Sequence, residues 1–251
     1  MSDETKRVAL VSGSTSGIGA QIARRLHADG LNVCVSGRST DRGAALRDEL
    51  GEGAHFVAAD LNDDDASDRL VGAVIERFGR LDVLVNNAAV DHTGPLLSAS
   101  PAEIRSTLET NTVAAILLLQ AAARAMVDTG GGSIINITSR LASAGVSGLS
   151  IYTATKGAML SLTRTAAIEL AEHNIRVNAV APGLTRTPMY DAWLAELPNA
   201  DEMARDHAAA IPMGRIAEPD DVAAAVSFLA SPGASYITGV SLPVDGGFLA
   251  K

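Results

Sequence analysis

The stretch Arg7-Val8-Ala9-Leu10-Val11-Ser12-Gly13-Ser14-Thr15-Ser16-Gly17-Ile18-Gly19 decides how the rest of the chain is read. An apolar run of strand length, Arg7–Val11, passes through a glycine-rich turn into Ile18–Asp29, which has the length and apolar spacing of a helix. Such a turn needs one glycine where the backbone bends, one where it passes close to a ligand and one where helix packs on strand. Gly13, Gly17 and Gly19 fill those places, with Ser14, Thr15, Ser16 and Ile18 between them. The helix that follows aims unsatisfied N–H groups and its positive dipole end at the turn, which suits a pyrophosphate. The spacing is G-x3-G-x-G, not the G-x-G-x-x-G of the standard dinucleotide fingerprint, so its place after the first strand counts as much as the glycines.

Working outward, further strand-like runs stand at Asn32–Ser36, His55–Ala58, Leu81–Val85, Ser133–Thr138, Ile175–Val180 and Val240–Val244. The segments between them, such as Asp63–Phe78 and Pro101–Asp128, carry helical spacing. The order reads βαβαβ and predicts a single doubly wound, Rossmann-type α/β domain over residues 1–251, with a mostly parallel sheet of about seven strands. The strands are nearly continuous in Val, Ile, Leu and Ala, as expected where both faces are covered. The least regular region, 182–213, holds Pro188, Trp193 and Pro198 and is expected to be a substrate flap over a cleft.

Composition narrows the functions. Hydrophobic residues make up 47% of the chain and charged residues 20%, which supports a large core and excludes wholesale disorder. A net charge of −9 argues against nucleic acid as a partner, because phosphate backbones need a basic surface. The single cysteine, Cys34, cannot form an internal disulfide, and Met1–Lys6 lacks the apolar core of a secretory signal, so the cytoplasm is the expected compartment. Val113–Val127, the most apolar stretch, is interrupted by Gln120 and Arg124 and is shorter than a membrane span; it reads as a buried helix, and no membrane partner is expected. The five histidines form no recognisable ligand spacing, so no metal is expected.

The second strand ends at Ser36-Gly37-Arg38-Ser39, where a dinucleotide fold meets the adenosine ribose. An acidic residue there would bind the 2′-hydroxyl of NAD and repel a 2′-phosphate. Arg38 instead offers a permanently charged planar fork suited to phosphate, which favours NADP(H), with NAD(H) as the alternative.

Tyr152 and Lys156 lie four apart on one face of a predicted helix that runs to about Glu172. A tyrosine titrates near 10, so proton exchange near neutrality needs a neighbour that favours phenolate, and an ammonium does so. The chain has 3 Tyr and places lysine only at Lys6, Lys156 and Lys251, which makes a chance pair uncommon. Ser139 ends the strand Ser133–Thr138, at the sheet edge where open α/β folds place ligands, and its hydroxyl can hold a carbonyl oxygen. Asn111 reads equally as a functional amide and as a helix-start residue.

Together these residues resemble the short-chain dehydrogenase/reductase family, in its branch of about 250-residue single-domain enzymes. The resemblance spans the chain: the Gly13/Gly17/Gly19 turn, Asp60-Leu61, Asn86-Asn87-Ala88-Ala89, Asn111, Ser139, Tyr152/Lys156, Pro182-Gly183 with Thr187, and the tail Gly239–Gly247. It implies that Tyr152 is the general acid/base, that Lys156 lowers its pKa and holds the nicotinamide ribose, that Ser139 positions the carbonyl and that Asn111 supports a water relay. It also implies that Asp60 and Leu61 lie near the adenine, Asn87 near the adenosine ribose, and Thr185 and Thr187 near the carboxamide and phosphates. Ala89 departs from a usual glycine and Ser12 from a usual threonine; the extra methyl of Ala89 would crowd the backbone only if that position needs a positive φ.

The resemblance further implies a homotetramer or homodimer, with Asn111–Asp128 and Tyr152–Glu172 packing across a two-fold axis. The expected function is hydride transfer between the nicotinamide and a small-molecule carbonyl or secondary alcohol. NADPH-dependent reduction of a ketone or 3-oxoacyl group leads, a sugar, polyol or alcohol dehydrogenase is the alternative, and a noncatalytic dinucleotide sensor is a remote one. Asp91, His92, Arg140, Leu141, Leu149, Leu184, Tyr190 and Trp193 are the expected pocket residues, Arg140 reading either as an anion partner or as a solvated arginine.

Overall fold

The computed structural model describes residues 6–251; the stretch 1–5, read for a secretory signal, lies outside them. All seven apolar runs form strands: β1 (Val8–Val11), β2 (Asn32–Gly37), β3 (Ala54–Ala58), β4 (Val83–Asn86), β5 (Gly132–Ile137), β6 (Ile175–Pro182) and β7 (Ser241–Val244). They make one sheet in the order β3-β2-β1-β4-β5-β6-β7, and every neighbouring pair is parallel. The order reverses between β1 and β4, which pair through Ala9–Val83, Leu10–Leu84 and Val11–Val85. Connections leaving these two strands diverge, and the crevice between them is where a doubly wound sheet accepts a ligand.

Helices cover both faces. On one side Ala9, Val11, Val33, Val35, Val83 and Val85 pack with Ile22 and Leu26 of α1 (Gly17–Ala28) and with Val222, Val226 and Leu229 of a late helix, Pro219–Ala230. On the other, Val8, Leu10, Cys34, Leu84 and Ile134 meet Leu70 and Val74 of the helix Ala66–Phe78 and Leu118, Ala122 and Met126 of Ala114–Asp128. Successive strand residues point to opposite faces, so an unbroken apolar run feeds both cores. Leu10 is fully buried, and truncating it to alanine is expected to cost about 2–5 kcal/mol. Burial also pushes the Cys34 thiol up to about 12, which makes it an inert core residue.

In chain order the remaining helices are α2 (Thr40–Leu50), α3 (Ala66–Phe78), α4 (Pro101–Leu108), α5 (Ala114–Asp128), α6 (Ser150–Glu169), α7 (Pro188–Ala195), α8 (Ala200–Ala209) and α9 (Pro219–Ala230). Pro101–Asp128 is helical throughout, but a π turn at Glu109–Val113 separates α4 from α5. At 28 residues this run is longer than the Val113–Val127 stretch read from sequence, and by length and composition it could cross a membrane; half of its most apolar window is buried, as in a core helix.

The 182–213 stretch is more regular than its sequence suggests, since α7 and α8 occupy most of it. Pro188 takes the first position of α7, where its missing N–H is not needed, and the Thr187 hydroxyl caps the helix by accepting from the Tyr190 N–H at 3.2 Å. Tyr190, Ile211 and Ile216 bury a small separate cluster with Leu184 and Leu194, which ties the two helices to the end of the sheet.

Candidate active site

At the carboxyl ends of β1 and β4 the crevice opens into two connected cavities that share Asn87, Ala89 and Val90. The smaller, about 230 Å³, runs from Gly13, Thr15 and Ser16 past Arg38, Ser39 and Arg42 to Asp60 and Leu61. The larger, about 570 Å³, holds Ser139, Tyr152, Lys156, Thr185 and Thr187.

The turn is built for close approach. Gly13 has φ +62°, and a Cβ there would lie 2.7 Å from the Ala88 Cα. A Cβ at Gly19 would overlap the Asn87 amide and the Gly13 carbonyl, so α1 can sit against the turn only with glycine at that position. Ser16 precedes α1 without capping it through its side chain, which leaves first-turn N–H groups facing the crevice. These features fit a dinucleotide pyrophosphate.

Ser14, read with the rest of the turn as a cofactor contact, braces the turn through its side chain. Its hydroxyl is buried, donating to the Val11 carbonyl at 2.6 Å and accepting from the Ser36 N–H at 2.9 Å, so it ties the end of β1 to β2. The Ser12 hydroxyl accepts from the N–H groups of Asn87 and Ala88, each at 3.1 Å. Asn87 in turn donates to the carbonyls of Ser12 and Gly13 at 3.0 Å. Among the described residues other than glycine only Asn174 has a positive φ, so the methyl of Ala89 meets no backbone strain.

In the smaller cavity, Arg38 is exposed and lies 4.0 Å from the Asp60 carboxylate. Arg42, in the first turn of α2, lines the same cavity and was missed by the sequence reading, which did not name α2 as a helix. The chemistry of this donor set, two guanidiniums beside Ser39 and Thr15, matches a phosphate.

In the larger cavity Lys156 is buried, and its ammonium donates to the Ile137 carbonyl oxygen at 3.0 Å while standing 5.5 Å from the centre of the Tyr152 ring. Burial lowers the lysine to about 8. Tyr152 moves the other way, to about 12, chiefly by burial and then by the negative charge of Asp91, with the facing Ser139 hydroxyl pulling it down. In this geometry burial sets the direction of the tyrosine shift, and the Lys156 ammonium is a neighbour of the ring that is hydrogen-bonded to the Ile137 carbonyl. Ser139 accepts from the Leu141 N–H at 3.1 Å, which orients its hydroxyl at the end of β5.

Asn111 is not a helix-start residue. It lies buried within the π turn, where its side-chain oxygen accepts from the Val90 N–H at 2.8 Å and its amide nitrogen donates to the Val90 carbonyl at 2.8 Å and to Thr155 at 3.2 Å. It thereby pins the Val90 wall shared by both cavities to the helix that carries Tyr152. π turns inside α-helices recur at functional sites.

Of the expected pocket residues, Asp91, Arg140, Leu141, Leu149, Leu184 and Trp193 line the cavity. Tyr190 and His92 do not. Tyr190 is buried behind the wall, its hydroxyl 3.1 Å from the His207 Nδ1, and His207 stacks on Trp193 at the cavity surface. Val146, Met189 and His207 line it without having been foreseen. Arg140 is half-buried over the Phe248 ring and is not a solvated arginine. Among the described residues no three His, Cys, Asp or Glu side chains converge as a metal site.

Residues 13–249 match the family described as enoyl-(acyl carrier protein) reductase. The chain is 41% identical to cis-4-hydroxycyclohexanecarboxylate dehydrogenase of Sinomonas cyclohexanicum, over 98% of this chain and 97% of that protein. It is 39% identical to L-rhamnose 1-dehydrogenase (NAD(P)(+)) of Azotobacter vinelandii, with 98% and 97% covered. A solved structure of an actinorhodin polyketide ketoreductase variant with NADPH superposes with a TM-score of 0.92 at 34% identity, covering 99% of each chain. Fold and site thus define a nicotinamide-dependent oxidoreductase on a doubly wound sheet. The chain belongs to the short-chain dehydrogenase/reductase family, whose members matched here act on alcohols, sugars and ketones.

Proposed function

We propose that this protein is an NADPH-dependent reductase of ketones carried on apolar skeletons. The observation that carries the cofactor choice is the pair Arg38 and Arg42 in the adenosine cavity, at a strand end that lacks the acidic residue an NAD ribose would want. When bound, the nicotinamide supplies the hydride. The chain's own residues hold the carbonyl and move the proton: the Ser139 hydroxyl donates to the carbonyl oxygen, and Tyr152 protonates that oxygen as the alcohol forms. Burial raises the phenol, so at neutral pH it carries the proton that carbonyl reduction consumes. Lys156, fixed on the Ile137 carbonyl, presents its charge beneath the phenol and can reach a bound ribose.

The substrate end supports an apolar ketone or 3-oxoacyl group: Leu141, Val146, Leu149, Leu184, Met189 and Trp193 give the cavity apolar wall. One observation favours a second reading, a sugar or polyol dehydrogenase: the exposed Asp91 carboxylate faces the cavity and can accept hydroxyl hydrogens. A noncatalytic sensor has little support, since Ser139, Tyr152 and Lys156 line one cavity and Asn111 braces its wall. For the assembly we favour a homotetramer or homodimer, because Val113, Ile116 and Leu117 around α5 and Ile168 on α6 leave apolar surface to solvent.

The deciding experiment follows reduced-nicotinamide absorbance with NADPH or NADH against ketones, 3-oxoacyl thioesters and oxidised sugars. The expected result is NADPH preference that falls about tenfold or more in Arg38→Asp, the loss of a charge-assisted phosphate contact. Equal use of NADH by the wild type would overturn the cofactor assignment, and turnover of sugars alone would favour the second reading.

A further inference from the structure

Arg140 is a charged residue of the catalytic cavity that the proposed proton and hydride transfer does not use. It follows Ser139 directly and opens a short 3-10 turn, Arg140–Ala142, so the same turn that aims the Ser139 hydroxyl also sets the arginine beside it. Its guanidinium carbon lies 3.7 Å from the centre of the Phe248 ring. The ring covers one face of the fork, while the five N–H donors lie in the guanidinium plane and stay free of it. Among the described residues none of those donors reaches a hydrogen-bond acceptor, and no carboxylate stands within ion-pair distance. Asp245 is the acid whose field reaches Arg140, but its carboxylate is held by the N–H groups of Gly247 and Leu249, one on each oxygen at 3.0 Å. Burial lowers the guanidinium pKa, the mark of a cation drawn partly out of water without a direct counter-ion. Partly buried charges in proteins are ordinarily paired, and Arg140 is one of the residues that line the cavity.

From this arrangement, and resting on the reading of the site as a ketone reductase, we infer that Arg140 anchors a carboxylate of the substrate, so that the ketones reduced here are keto acids with an apolar carbon skeleton. The other charges of the cavity fix the orientation. Asp91 on the wall repels a second carboxylate, and the Lys156 ammonium is committed to the Ile137 carbonyl. His207 is held by its stack on Trp193 and its contact with the Tyr190 hydroxyl. Arg140 therefore offers the planar, doubly donating fork that a carboxylate matches. Leu141, Val146 and Leu149, which follow Arg140 in the chain, supply apolar surface for the skeleton between the acid group and the carbonyl at Ser139.

The test compares 4-oxocyclohexanecarboxylate with its methyl ester, using NADPH and the full-length protein. The wild type is expected to prefer the acid by about 10- to 100-fold in kcat/KM, the scale of hydrogen bonds to a charged group. In Arg140→Leu that preference disappears, chiefly through a higher KM for the acid, and Arg140→Lys recovers part of it. Turnover of the ester by Arg140→Leu reports that the variant is folded; if it does not fold, Arg140→Gln, which keeps planar donors without charge, gives the same comparison. An acid-to-ester ratio that Arg140→Leu and Arg140→Gln leave unchanged overturns the inference while the reductase reading stands. Failure of the wild type to reduce any ketone, acid or ester, overturns that reading and the inference with it.

Discussion

Lys156 and Tyr152 share one face of α6, yet the ammonium donates to the Ile137 carbonyl oxygen at 3.0 Å and stands 5.5 Å from the phenol ring centre. The lysine is thus anchored to the end of β5, while partial burial and the charge of Asp91 push the tyrosine up to about 12. Spacing in the helix brought the two residues together; the carbonyl decides which of them the charge serves first.

That arrangement predicts an asymmetric pH dependence. Reduction needs the protonated phenol and is expected to be flat in kcat/KM through the neutral range. Oxidation of the alcohol needs phenolate, so its kcat/KM should rise toward alkaline pH. Asp91 is a negative charge that raises the tyrosine, and Asp91→Asn should therefore move the alkaline rise to lower pH. Parallel pH profiles of wild type and variant in both directions check this, and an unmoved or upward-shifted rise would refute the role given to Asp91.

Asn111 makes a second prediction. Its amide satisfies both backbone groups of Val90, so Asn111→Leu removes the side-chain partner of a part-buried N–H and carbonyl. The expected cost is about 1–3 kcal/mol for each group left unpaired, read as a lower denaturation midpoint, together with weaker cofactor binding because Val90 borders both cavities. Unchanged stability and unchanged binding would place the Val90 wall under other control.

The third concerns assembly. Ile116 and Leu117 are each about two-fifths exposed on α5. Ile116→Glu puts a charge on the surface proposed to meet its two-fold mate and should yield a smaller species in light scattering. An unaltered mass would move the interface elsewhere.

Much of this molecule was legible in its residues. The strands were visible because a sheet covered on both faces requires unbroken apolar blocks, and the β1–α1 turn because Gly13 and Gly19 occupy positions that no side chain can enter. The π turn was not legible: Pro101–Asp128 keeps helical periodicity across it, and the bonds that stabilise Asn111 come from Val90, distant in sequence. Arg42 escaped notice because α2 is polar and only weakly patterned. The α7–α8 pair was hidden because Pro188, which reads as a breaker, sits where a helix begins. The fate of Arg140 depended on Phe248, more than a hundred residues away.

The central claim is that Tyr152 delivers the proton for nicotinamide-dependent carbonyl reduction. The direct measurement is the kcat/KM for ketone reduction with NADPH in Tyr152→Phe, alongside NADPH binding by the same variant. The account predicts a loss of about 100- to 10,000-fold in rate, the contribution of a positioned general acid, with cofactor affinity retained. A variant that binds NADPH and reduces the ketone at the wild-type rate would contradict it.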